Sequence, residues 1–186
     1  MTNLNQLPAD LPIPQDDGAA DHLVGMRLPA ISLNATTGSR CNLGESRGRL
    51  VIYCYPMTGQ PNVALPEGWD QIPGARGCTP QSCSFRDHYQ ELRALGADVV
   101  GLSVQSTEYQ HEMADRLHLP FPVLSDVDYQ FQQALRIPTF VAAGMTLLKR
   151  ITLIVNDGVI EVVHYPIFPS DSDPTWVLNY LKNNPA

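Results

Sequence analysis

At 186 residues, 44% hydrophobic and 17% charged, the chain is long enough to bury a full core and short enough to expect one domain. Nineteen acidic against twelve basic residues give a net charge of −7, which argues against a nucleic-acid surface and favours solubility. No apolar run reaches the roughly 18 residues of a membrane span, and residues 1–21 lack a basic stretch followed by an apolar one, so neither a membrane segment nor a secretory leader is expected and the compartment reads as cytoplasmic.

Residues 1–20 are polar, with Pro8, Pro12, Pro14 and an Asp16-Asp17-Gly18 turn. They read as an N-terminal tail or a short extension on the surface, ahead of one domain over 21–186. Ile31-Ser32-Leu33 is a short strand candidate, followed by a turn at 36–39. Leu50 to Tyr55 is a nearly continuous apolar, β-prone run that suits a strand covered on both faces, and Pro56 ends it. Met57 to Gly77, with Pro61, Pro66, Pro73 and four glycines, is a long connection of the kind that is functional or disordered.

A helix is predicted from about Pro80 to Leu95. Phe85, Tyr89 and Leu92 recur at helical spacing, Thr79-Pro80 reads as N-cap and first residue, and Gly96 stops it. Val99 to Ser103 is a second buried strand, Thr107 to Leu117 a helix, Phe121 to Leu124 an extended piece and Asp128 to Leu135 a short helix. Arg150 to Val155 and Val159 to Tyr165 are strands around an Asn156-Asp157-Gly158 turn, and Pro174 to Asn183 closes the chain as a helix buried through Trp176, Val177, Tyr180 and Leu181. Strands joined through helices imply a parallel portion, and the closing hairpin adds an antiparallel one. The class is α/β, with the layout of a thioredoxin-like fold: a central mixed β-sheet flanked by helices.

Chemistry concentrates at Gly77-Cys78-Thr79-Pro80-Gln81-Ser82-Cys83. A free thiol has a pKa of about 8.5, and a helix N-terminus or a nearby Arg lowers it. Cys78 has a predicted helix start beside it and Arg76 two residues before it. A second thiol within reach converts an oxidised first thiol into a reducible disulfide. Without export, a catalytic disulfide is the usual kind, so the pair reads as a redox centre. Two other readings stay open at this level. Free cysteines often fill core space, and cysteines also bind zinc, although structural zinc sites use tighter spacing and a second close pair. Cys54, mid-strand, reads as buried and inert, and Cys41 as a bystander near a turn. The five histidines are scattered, His88 reads as a surface residue, and no metal or cofactor is assigned.

Several segments in order resemble the peroxiredoxins, of the peroxiredoxin Q or bacterioferritin comigratory protein type. They are Val24-Gly25 through Leu28-Pro29 and Gly38; Leu50 to Pro56; Gly77-Cys78-Thr79 through Cys83 and Phe85-Arg86-Asp87; Val99 to Ser103; Leu119-Pro120-Phe121-Pro122 and Leu124-Ser125-Asp126; and Lys149 to Ile154. The resemblance spans about residues 24–181 and implies a thiol-dependent peroxidase for hydrogen peroxide or small organic hydroperoxides. Cys78 would be the peroxidatic thiolate, oxidised to a sulfenic acid, and Cys83 would resolve it as an intramolecular disulfide. A thioredoxin or glutaredoxin would reduce the pair, and Arg150 would stabilise the thiolate and bind a peroxide oxygen. Members of this type imply a monomer, with a dimer as the alternative.

The chain departs from the family pattern, which places Pro-x-x-x-Thr-x-x-Cys at the site. Here Ala75 stands three before Cys78, and Pro56 lies 22 residues upstream across the long 57–77 connection. Thr58 or Thr79, with the backbone at Gly77, are the candidates to position substrate instead. The missing hydroxyl supports the alternative function, a redox sensor or binding module with little peroxide turnover. Trp69 reads as an anchor of the loop that could also cover the site. Two residues five apart in a regular helix have Cα atoms about 8.7 Å apart, beyond the roughly 7 Å a disulfide spans, so a Cys78–Cys83 bond requires local unwinding.

Overall fold

The strand Arg49–Cys54 is buried at every position, and its alternate side chains enter two different cores. Leu50, Ile52 and Cys54 face one, Val51 and Tyr53 the other, as the two-residue period of a strand requires. A continuous apolar run therefore marks the centre of a sheet packed on both faces.

The computed structural model describes residues 3–185; Met1 and Thr2 of the expected tail, and Ala186, lie outside it. In chain order the elements are β1 (Ser32–Ala35), β2 (Arg40–Asn42), β3 (Arg49–Cys54), α1 (Cys78–Ala94), β4 (Ala97–Ser103), α2 (Thr107–Leu117), β5 (Val123–Ser125), α3 (Gln130–Leu135), β6 (Thr139–Ala142), β7 (Met145–Leu148), β8 (Ile151–Asn156), β9 (Val159–His164) and α4 (Asp173–Asn183). Seven strands form one sheet in the order β2-β1-β5-β4-β3-β8-β9. β3, β4 and β5 run parallel, and β1, β2, β8 and β9 join antiparallel. This is the mixed sheet of a thioredoxin-like fold.

Helices α1, α2 and α4 send Phe85, Leu92, Met113, Leu117, Val177, Leu178 and Leu181 onto one face of the sheet. The other face is covered by α3 through Phe131 and Leu135, by Leu23 and Leu28, and by Leu147 and Leu148 of a separate β6–β7 hairpin. No helix among the described residues is long and apolar enough to cross a membrane.

Three differences from the sequence expectation matter. Helix α1 begins at Cys78, with Gly77 as its N-cap at φ 106°, so Thr79 is not the cap. It lies inside the first turn, where Pro80 costs no hydrogen bond because the first N–H groups of a helix have no partner within it. The β6–β7 hairpin was not expected. Its two-residue turn is Ala143-Gly144, both at positive φ, and alanine at the first position hides the Asn-Gly or Asp-Gly signal. The 57–77 connection contains a short 3-10 turn, Trp69–Gln71, and Trp69 is buried with its ring 6.3 Å from that of Phe140. That is the anchor role expected for it.

Phe85 joins α1 to the sheet by stacking on Tyr53, ring centroids 4.5 Å apart, and is fully buried. Replacing it with alanine is expected to cost about 3–5 kcal/mol in denaturant unfolding. A loss below about 1 kcal/mol would show that α1 is held elsewhere.

Candidate active site

Cys78 is the first residue of α1, where the N–H groups of the first turn point out of the helix without partners inside it. Only glycine fits just before it. A Cβ on Gly77 would lie 2.1 Å from Ser170 Oγ and 2.7 Å from Leu7 Cδ2, and the φ of 106° disfavours any other residue. The Cys78 thiol is almost wholly buried, 3% exposed, and lies 3.8 Å from the Ala75 carbonyl oxygen.

Arg150, just ahead of β8, brings its guanidinium to that thiol. Its Nη2 lies 3.4 Å from Cys78 Sγ and donates to the carbonyls of Ala75 and Arg76, both at 3.1 Å. Its Nη1 donates to Gln81 Oε1. Arg150 is 4% exposed, so these acceptors replace water around a buried cation. A guanidinium held there can donate to an oxyanion forming beside the sulfur. Arg76, the neighbour in sequence, is engaged elsewhere: Nη2 donates to the Asn3 carbonyl at 2.7 Å, and Nη1 lies 3.5 Å from Asp70 Oδ1.

The space above the thiol is a chamber of about 10 Å³ walled by Leu4, Met57, Gly59, Leu65, Trp69, Arg76, Gly77, Cys78 and Thr79. That is about the room one water needs. Met57, Gly59 and Leu65 also line a mostly apolar groove of about 550 Å³ that continues to Val63, Tyr109 and Met145. The 57–77 connection thus forms the shared wall between chamber and groove.

The candidate substrate-positioning residues separate. Thr79 and Gly77 are in the chamber wall. Thr58 is buried beside it, but its hydroxyl donates to the Gly59 carbonyl at 3.3 Å and it is not part of that wall. Ala75 contributes its carbonyl rather than a side chain.

Cys83 lies one and a half turns along α1, half-buried and free. Burial pushes its thiol up, against the nearby Arg86. Both cysteines belong to one regular helix, so bonding them requires the first turns of α1 to open. Cys54 is fully buried and its thiol is pushed far up by that burial; Cys41 is half-buried and pushed up for the same reason. Arg86 and Asp87 pair with each other at 2.8 Å. Among the described residues no cluster of His, Cys, Asp and Glu could hold a metal ion.

Residues near the start of the chain are part of the site, which their polar composition did not signal. Leu4 walls the chamber, Leu7 packs against Gly77, Asn3 binds Arg76, and Asp17 holds Lys149 at 2.5 Å and Tyr165 at 2.7 Å. Gln81, Thr152 and Asp173, which extend the contacts of Arg150, were also missed. Two of these had a signal. Gln81 is three residues after Cys78 on one helix, and Thr152 is two after Arg150 along the strand, so each shares a face with an expected residue.

The Redoxin family profile matches residues 23–178. Peroxiredoxin Bcp of Escherichia coli (strain K12) is 30% identical over 161 residues, covering 84% of this chain and 93% of that protein. The crystal structure of peroxidoxin BcpB from Mycobacterium tuberculosis superposes with a TM-score of 0.71 at 23% identity, over 88% of this chain and 98% of that one. A structure of the Xanthomonas campestris bacterioferritin comigratory protein, described for its alkyl peroxide reduction activity, gives 0.66 at 20% identity, over 95% and 100%. At these identities the structural likenesses show the fold.

Leu4 is half-buried over the thiol, a burial that contributes about 1 kcal/mol to closing the chamber. Leu4→Ser is expected to speed Cys78 alkylation by iodoacetamide about fivefold. An unchanged rate, with the protein folded, would show that the N-terminal segment does not limit access.

Proposed function

The chain belongs to the Redoxin family and, within it, to the peroxiredoxins of the Bcp and peroxiredoxin Q type, which are thiol peroxidases; from that premise we propose that Cys78 is its peroxidatic residue, Cys83 its resolving residue and Arg150 the cation that serves both thiolate and substrate. The observation that carries the assignment is the 3.4 Å contact between Arg150 Nη2 and Cys78 Sγ at the start of α1.

The thiolate of Cys78 attacks the terminal oxygen of a hydroperoxide. The S–O bond forms as the O–O bond breaks, sulfur is oxidised by two electrons, and the leaving oxygen takes a proton and departs as water or an alcohol. The Arg150 guanidinium donates to the oxygen that gains charge. Cys83 then attacks the sulfenic acid, giving the disulfide and water. A dithiol reductant, a thioredoxin or glutaredoxin, returns both thiols by exchange. The cysteine usage suits the reducing cytosol we propose as the compartment.

The chamber receives the peroxide group, and the adjoining apolar groove suits the organic end of a small hydroperoxide. With Ala75 in place of the expected hydroxyl, Thr79 is the hydroxyl residue of the chamber wall. A second reading, a redox sensor with little turnover, rests on Ala75 alone.

Stopped-flow oxidation of the reduced protein tests the assignment. Cys78→Ser is expected to abolish the fast phase, and Cys83→Ser to keep it while stopping turnover after one equivalent. Arg150→Met is expected to slow it about 10²–10³-fold. A wild-type reaction no faster than that of a free thiol would favour the sensor. Val63→Asp, in the groove but outside the chamber wall, is expected to lower kcat/KM for cumene hydroperoxide about tenfold with hydrogen peroxide little changed; equal losses on both would remove the groove from substrate binding. Amide exchange should show residues 78–84 losing protection on disulfide formation, and equal protection in both states would exclude the unwinding.

A further inference from the structure

One buried carboxylate lies beyond the residues assigned above. Asp173, the first residue of α4, is 0% exposed. Its Oδ2 accepts from Gln81 Nε2 and from Thr152 Oγ1, both at 2.7 Å, and its Oδ1 lies 2.8 Å from His164 Nδ1. The His164 ring stacks on Trp176 with centroids 4.1 Å apart. Gln81 is shared: its other amide atom, Oε1, accepts from Arg150 Nη1. A continuous chain of contacts therefore runs from Asp173 through Gln81 and Arg150 to Cys78 Sγ.

We infer that Asp173 is a positioning residue for the peroxidatic centre, acting through Gln81 to fix the orientation of Arg150. The inference rests on the reading of Cys78 and Arg150 given above. A guanidinium only donates and a carboxylate oxygen accepts, so the Gln81 amide between them has one workable orientation: oxygen to Arg150, nitrogen to Asp173. Without the carboxylate, the single contact with Arg150 Nη1 is left to hold the amide in that orientation. Turning it would set its NH2 against Nη1, donor against donor, and leave that face of a buried cation without an acceptor. Arg150 Nε already has no hydrogen-bond partner, so the loss of the Nη1 contact leaves only Nη2 engaged. The guanidinium would then be held only through Nη2 by the Ala75 and Arg76 carbonyls, and could pivot about those contacts away from the 3.4 Å position on Cys78. Thr152 and His164 hold Asp173 itself, so the carboxylate does not need to turn toward Arg150 to be satisfied.

The test is the rate of Cys78 oxidation by hydrogen peroxide in the reduced full chain, with Tm measured alongside. Asp173→Ala is expected to slow it about tenfold to hundredfold, as does Gln81→Leu. The double variant is expected to be no slower than Gln81→Leu, because the path to Arg150 is already cut. A folded Asp173→Ala protein with wild-type rate overturns the inference, and so does a full additional loss in the Gln81→Leu background. A wild-type rate no better than a free thiol would instead overturn the reading of Cys78 itself. If Asp173→Ala does not fold, Gln81→Glu and the swap Gln81→Glu/Asp173→Asn decide. Glu against Asp173 sets acceptor against acceptor, and the swap restores a donor to that contact, since the Thr152 hydroxyl can reverse its role. The swap is expected to recover the rate lost in Gln81→Glu to within about threefold of wild type; a swap no faster than Gln81→Glu overturns the inference.

Discussion

A guanidinium taken out of water is costly unless acceptors surround it, and Arg150 is 4% exposed. Most of the site follows from how that cation is satisfied. Two backbone carbonyls, of Ala75 and Arg76, pin the end of the long connection to the start of β8. The side chain of Gln81 ties the first turn of α1 to the same group, and Cys78 Sγ fills a further position around it. Because the carbonyls belong to the backbone, the pinning does not depend on which side chain stands at position 75. The departure at Ala75 therefore removes a hydroxyl without loosening the frame that aims Arg150 at sulfur.

The frame and the wall have different origins in the chain. The sheet, α1 and Arg150 come from segments that follow the family order. Much of the wall over Cys78 comes from segments that do not: Leu4 near the start, and Met57, Gly59, Leu65 and Trp69 from the long connection. Trp69 anchors that connection on Phe140 of β6, so the β6–β7 hairpin supports the wall from behind. The same hairpin lends Met145 and Leu147 to the neighbouring groove. Access to the Cys78 sulfur is thus set largely by the N-terminal segment and the long connection.

What was legible follows the range of each interaction. Most strands and helices were readable from local periodicity, though β2, β6 and β7 were not, and the proposed roles of Cys78, Cys83 and Arg150 rested on motifs of a few residues. The start of α1 was misplaced by two residues because Thr79-Pro80 offers a good local cap. The actual cap is set by Gly77, whose conformation answers to Ser170 and Leu7, each far away in sequence. The β6–β7 hairpin escaped because Ala143 occupies a left-handed position that Asn or Asp would have advertised. Asp173 had no local mark at all: its contact with Gln81 joins residues 92 apart. The N-terminal segment looked like a tail because its few apolar residues, Leu4 and Leu7 among them, meet their partners only in the folded chain.

On the roles proposed for Cys78, Cys83 and Arg150, the contacts that ready Cys78 for oxidation also oppose what must follow. Resolution needs Cys83 to reach Cys78, and both are in α1, where regular geometry keeps them apart. Opening the first turn breaks the Gln81 N–H bond to the Gly77 carbonyl and strains the Gln81 side chain between Arg150 and Asp173. The sulfenic acid eases the opening, since a neutral oxidised sulfur draws less on Arg150 than a thiolate does. The reactive form is therefore the one the network holds most firmly, and oxidation itself weakens the hold. Tightening the Gln81 and Asp173 contacts would sharpen the first step at the expense of the second, so their strength sets a balance between reacting with peroxide and closing the disulfide.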